Sequence, residues 1–123
     1  MNIKRIIDAN IILRYILKDN DSDFEIAKRE ILKGTTTDIA ILAEVVYVLK
    51  GIYKISREEI VETLITLSEE IEYENNDVVI ETLSNFKNKN LDFVDCYLLA
   101  RKKIFQDEII TFDKKLNNEL NRE

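Results

Sequence analysis

The chain has 123 residues, 46% hydrophobic and 34% charged, with a net charge of −6, about one domain's worth of sequence with enough apolar content for a core. It contains no histidine, one cysteine and two glycines. These counts exclude histidine acid/base chemistry, nucleophilic triads, histidine or thiolate zinc sites, an internal disulfide and a glycine-rich phosphate loop. Catalysis here has to run on carboxylates, hydroxyls, lysines or a metal held by oxygen. The acidic balance argues against a globally basic nucleic-acid binder, although a local basic stripe remains open. No apolar run approaches the ~20 residues that span a bilayer, and the start, MNIKRIID, lacks a signal-peptide pattern. With a lone cysteine, Cys96, the expectation is a cytoplasmic protein that avoids membranes.

Proline is absent, so boundaries are read from Asn, Asp and Gly clusters. KRII (4–7) is a β-branched run and predicts a strand. DANIILRYILK predicts a helix from about Asn10 to Lys18. DNDSD (19–23) is a turn, with Ser22 or Asp23 capping a helix that runs to about Lys33. GTTTD (34–38) turns into a short strand. Ile39 to Gly51 predicts a helix ended by glycine. SREE (56–59) is a capping box opening a helix to about Glu70. IEY (71–73) predicts a strand, 76–88 a helix, and KNKN (87–90) a loop. LDFVDCYLLARKKIF predicts a helix capped by Asp92 and ending near Phe105. EIIT (108–111) predicts a strand, and DKKLNNEL a last helix. Strands alternating with helices imply one α/β domain, residues 1–123, around a parallel sheet. Sites in such sheets lie beyond the carboxyl ends of the strands.

Four carboxylates stand against apolar sequence. Asp8 follows KRII and Asp113 follows IIT, so both are at carboxyl ends of predicted strands. Glu44 is the lone acid in ILAEVVYVL, where Ile39–Ala43 and Val45–Leu49 are apolar. Asp95 lies within LDFVDCYLLA. A buried, isolated carboxylate is costly, so Glu44 is expected to have a partner. If the four acids converge they repel and raise one another's pKa, whereas a divalent cation reverses that. Hard oxygen ligands select Mg²⁺ or Mn²⁺. Each acid also has a structural reading. Asp8 and Asp113 suit helix N-caps, Asp92 and Asp95 suit a cap and a first-turn acid, and Ala40, Ala43 and Glu44 can form a narrow exposed strip.

IIDANIILRYIL, AEVVYVL, LDFVDCYLLA and ITFDKKL, in this order and spacing, resemble the PIN domain from Lys4 to about Leu116, and most of all the VapC-type toxins of bacterial and archaeal toxin–antitoxin pairs. The resemblance implies a three-layer α/β/α fold with a short parallel sheet of about four strands. It also implies a Mg²⁺- or Mn²⁺-dependent ribonuclease whose acidic quartet is Asp8, Glu44, Asp95 and Asp113. Asn10, Asp92 and Thr111 fall on supporting positions. A homodimer and an antitoxin that enters the acidic groove are implied as partners. The resemblance departs at the end, where LNNELNRE shows no pattern for a further edge strand.

The expected reaction is hydrolysis of RNA phosphodiester bonds, with water activated by metal. Asp8 and Asp95 are expected as direct ligands, Glu44 as ligand or general base, and Asp113 as the completion of a second site or a group acting through water. Arg14, Lys102, Lys114 and Lys115 are candidates for phosphate binding, although any one of them also fits a solvated charged face. Two other classes compete. A phosphatase or phospho-acceptor domain would want a second acid at position 9 or 10, where Ala9 and Asn10 stand. A non-catalytic PIN-like binding module would show replaced acids, and all four are present.

Overall fold

The computed structural model describes residues 3–122. Among them the order is α1 (Ala9–Leu17), α2 (Asp21–Leu32), β1 (Thr36–Thr37), α3 (Ile39–Gly51), α4 (Arg57–Leu67), β2 (Glu72–Tyr73), α5 (Asn76–Asn88), α6 (Phe93–Phe105) and α7 (Lys114–Arg122). The class is mixed α/β. The two strands pair in parallel, Thr36 with Glu72 and Thr37 with Tyr73. Backbone contacts divide the chain into two compact units, one ending at Glu74 and one beginning at Asn75.

Two of the four expected strands form among the described residues. KRII is not a strand but makes one parallel bridge, Ile6 to Thr36. The Ile7 N–H donates to the Thr36 carbonyl at 3.1 Å, and the Thr36 N–H to that of Arg5 at 2.7 Å. EIIT stays irregular, and Ile110 and Phe112 are exposed. Its β-branched residues supply propensity, but propensity acts through neighbours on a sheet, and 106–113 form no ladder.

In the first unit, α1 packs on α2 and α3, and α3 on α4. Ile12, Tyr15 and Ile16 are not an exposed surplus. Ile12 is fully buried, the Tyr15 ring stacks on Phe24 at 5.4 Å, and Ile16 is half-buried. Helix α3 buries Leu42, Val45, Val46 and Leu49, spaced at three and four residues as one helical face requires. Each such side chain is worth about 1.5–3 kcal/mol of hydrophobic stabilisation. Asn20 rather than Ser22 or Asp23 caps α2, its side chain accepting from the Asp23 N–H at 2.9 Å. Ser56 caps α4 as SREE predicts, accepting from the Glu59 N–H at 3.1 Å. Gly51 is the last helical residue of α3 rather than a left-handed stop. The left-handed stops are Lys18 after α1 and Gln106 after α6.

In the second unit α6 packs against α5 and α7. Phe86 and Phe93 meet edge-on at 5.6 Å. The buried Asn85 donates from Nδ2 to the Cys96 carbonyl at 3.1 Å, so α5 and α6 are joined by a polar bond as well as by apolar packing. The Cys96 thiol is fully buried.

Candidate functional site

The first unit holds two of the quartet. Asp8 follows the bridge at Ile6 and opens α1. Its Oδ1 accepts from the Ile11 N–H at 3.1 Å, so it is the N-cap. The preceding backbone is pinned to β1, because the Thr37 hydroxyl donates to the Ile7 carbonyl at 3.5 Å. Asn10 is exposed on the first turn of α1. A fifth acid, overlooked in the sequence, stands in the same way. Asp38 directly follows β1 and caps α3, its carboxylate accepting from the Ile41 N–H at 3.1 Å. The signal was present in TTTD followed by an apolar helix.

Glu44 is not buried. Helix α3 leaves Ala40, Glu44, Tyr47 and Gly51 exposed along one strip, and the carboxylate is in solvent. The apolar run misled because Tyr47 and the alanine count as apolar while facing water. Glu44 therefore needs no partner to exist, and any role it has is not imposed by burial.

The second unit holds the other two. Asp113 follows the irregular segment rather than a strand. Its Oδ1 accepts from the Leu116 N–H at 2.8 Å, capping α7. Thr111, on a supporting position by the resemblance, is not on a strand. Its hydroxyl accepts from the Asp113 N–H at 3.0 Å, while Asn117 Nδ2 donates to the Thr111 carbonyl at 2.9 Å. This turn fixes the backbone of Asp113. Asp92 occupies the N-cap position of α6 without a side-chain capping bond, and Asp95 lies in the first turn, half-buried. Burial, then the charges of Asp113 and Asp92, push the Asp95 carboxyl above its ordinary value. Asp113 and Asp92 thus both act electrostatically on Asp95.

The expected phosphate-binding cations divide into two kinds. Arg14 already pairs with Asp19 at 3.4 Å and Asp23 at 3.5 Å. Lys102 donates to the Leu120 carbonyl, tying α6 to α7. Lys114 and Lys115 are exposed on the first turn of α7. There they oppose the helix dipole, typically by about 0.3–1 kcal/mol each, so an anion near them would be favoured. A groove of about 670 Å³ in the first unit is lined by Tyr15–Lys18 and by residues of α4, and by none of the quartet.

Among the described residues no helix is long and apolar enough to cross a membrane. Nor do three Asp, Glu or Cys side chains gather closely enough to hold a metal ion. The sequence matches the family profile of the PIN domain over residues 5–118. The chain belongs to the PIN domain family. PIN domains are generally nucleases and usually use divalent metal ions. No curated protein matches the chain. Every acid named is a hard oxygen donor, the type such an ion takes, although no three of them gather closely enough to hold one among the described residues. The raised pKa of Asp95 marks an acid group that a cation would relieve.

Proposed function

We propose that this PIN domain is a Mg²⁺- or Mn²⁺-dependent endoribonuclease, the toxin of a type II toxin–antitoxin pair, acting in the cytoplasm as a homodimer held in check by an antitoxin. The whole chain is read as one domain in a three-layer α/β/α order. The observation that carries the reading is the family match over residues 5–118, which spans all four acids of the quartet. The electrostatics of Asp95 support it, since a carboxyl raised by burial and then by the charges of Asp113 and Asp92 is one that a cation would relieve.

In this reading Asp8, Glu44, Asp95 and Asp113 would hold the ion, which would acidify a water and offset charge on the scissile phosphate. The chain's own groups do the rest. Glu44, a solvent-facing carboxylate, would take the proton of the attacking water. Thr111 and Asn117 fix the Asp113 backbone, leaving one carboxylate oxygen on the helix cap and the second for binding. Asp92 adds negative charge beside Asp95, and Asn10 follows the capping Asp8 as a polar neighbour. Lys114 and Lys115 would receive backbone phosphates, while Arg14 and Lys102 contribute less because each already has a partner.

The test is cleavage of labelled RNA with added Mn²⁺, comparing the wild type with Asp95→Asn and Asp113→Asn. Loss of about two orders of magnitude or more in each variant is expected, as for removal of an ion-binding group whose role is in the transition state. Undiminished cleavage by Asp95→Asn would end the proposal.

A further inference from the structure

We infer that the end of α3 and the loop after it form a stacking platform for single-stranded RNA, built from Tyr47 and Tyr53 with Lys50 and Lys54; RNA as the ligand rests on the ribonuclease reading above.

The observations are local to the first unit. Tyr47 is 75% exposed and Tyr53 47% exposed. Tyr47 lies three residues after Glu44 on the exposed strip of α3, about 4.5 Å further along the helix axis. Beyond Gly51 the chain folds back onto the last turn. The N–H groups of Ile52 and Tyr53 both donate to the Val48 carbonyl, at 3.0 and 3.2 Å, and the Ile55 N–H to that of Leu49 at 3.0 Å. These bonds hold Tyr53 close to the end of the helix that carries Tyr47. Lys50 and Lys54, three and one residues from these tyrosines in the sequence, are exposed as well.

A lone exposed tyrosine needs no explanation. Here the charge pattern adds one. Between Glu44 and Glu58 lies the longest stretch of the chain without a carboxylate, in a protein of net charge −6. Within it stand both tyrosines and both lysines. An aromatic ring has few rotors to immobilise and a flat face that any base can stack on, while lysines beside it neutralise phosphates. That combination suits unpaired nucleotides. A duplex keeps its base faces stacked internally and offers the tyrosines nothing. Continuity of the strip with Glu44 would carry a bound strand toward that carboxylate.

The test measures fluorescence anisotropy of a short labelled oligouridine in EDTA, so that binding is read without metal-supported cleavage. The wild type should bind the single strand more tightly than the matching duplex. Tyr47→Ala and Tyr53→Ala should each weaken single-strand binding by roughly tenfold, and Tyr47→Phe should retain it. Lys50→Gln should lower the salt slope by about 0.7, the value for one lost phosphate contact on a single strand. All four side chains are exposed, so the variants fold. Tyrosine variants that bind like the wild type, or a wild type that does not bind the single strand, would overturn the platform. If that happens while Asp95→Asn abolishes cleavage, the nuclease reading stands alone. If the tyrosine variants bind weakly but no metal-supported cleavage occurs, the platform stands and the nuclease reading falls. If sedimentation shows that Tyr47→Ala converts a dimer to monomers with RNA affinity unchanged, the patch belongs to a second copy of the chain and the inference is wrong.

Discussion

Asp8 and Asp38 stand in register at one edge of a parallel pairing, each two residues beyond the bridged pair Ile6 and Thr36, and each accepts the N–H three residues on at 3.1 Å. Their local geometry is the same, so a structural role predicts the same response to substitution. Asp8→Ala and Asp38→Ala should each cost about 1 kcal/mol in urea melts, and Asn at either position should restore most of it, since Asn caps as well as Asp. Cleavage should separate them. Asp8→Asn should be inactive and Asp38→Asn active. Equal activity in the two Asn variants would reduce Asp8 to a cap.

Asp95 gives a pH dependence with a definite sign. Burial first, then Asp113 and Asp92, raise its carboxyl above the ordinary aspartate value. A carboxyl that binds protons more readily when folded favours the folded state most at low pH. That contribution is lost as pH rises through its folded pKa. At neutral pH, Asp95→Asn should therefore melt higher than the wild type, and the gap should close as pH falls toward the ordinary aspartate range. Mn²⁺ should raise the melting temperature of the wild type more than that of the variant. A variant that melts lower than the wild type at neutral pH would contradict this.

The Thr111 hydroxyl accepts from the Asp113 backbone N–H, and in the proposed reaction it would position that acid. Thr111→Val keeps the shape and removes the acceptor, for an expected loss of about 1 kcal/mol in stability. Cleavage should fall mainly in kcat with KM nearly unchanged, and Thr111→Ser should restore it. A purely structural threonine would leave kcat intact at a temperature where the variant is folded.

Glu44 is exposed, so Glu44→Gln should change stability by less than about 0.5 kcal/mol, as surface substitutions usually do. RNA cleavage should be lost all the same. A clear loss of stability with cleavage retained would remove it from the site.

Asn85 is the opposite case. Its buried amide bonds the Cys96 carbonyl between α5 and α6, so Asn85→Ala should destabilise by about 1–3 kcal/mol, read by thermal melting, with little effect on RNA affinity. A neutral result would mean that water replaces the amide.

The legible parts of the sequence were those with a local chemical cause. SREE announced the Ser56 cap, GTTTD the turn into a short strand, and the apolar run from Ile39 to Gly51 the helix α3. Asp8 and Asp113 were read both as caps and as candidate ligands, and the structure displays the capping bonds. What could not be read depends on distant neighbours. EIIT has strand composition but no ladder, and a ladder is a property of two segments. The exposure of Glu44 was hidden because Ala40 and Tyr47 look apolar in a string of letters, although Tyr47 faces water on the helix. Thr111 and Asp113 are joined by a turn, which depends on a backbone path that the strand-like composition of EIIT does not reveal.

The burial of Cys96 equips the second unit with an internal clock. The chain has one thiol, fully enclosed between α5 and α6 with its sulfur against the Leu91 carbonyl at 3.7 Å. A thiol reagent added to native protein can react only when that enclosure opens, so the labelling rate measures the opening of the structure around Cys96. Asn85→Ala, which removes the bond to the Cys96 carbonyl, should speed labelling. The opening around this one side chain can thus be timed without introducing a probe.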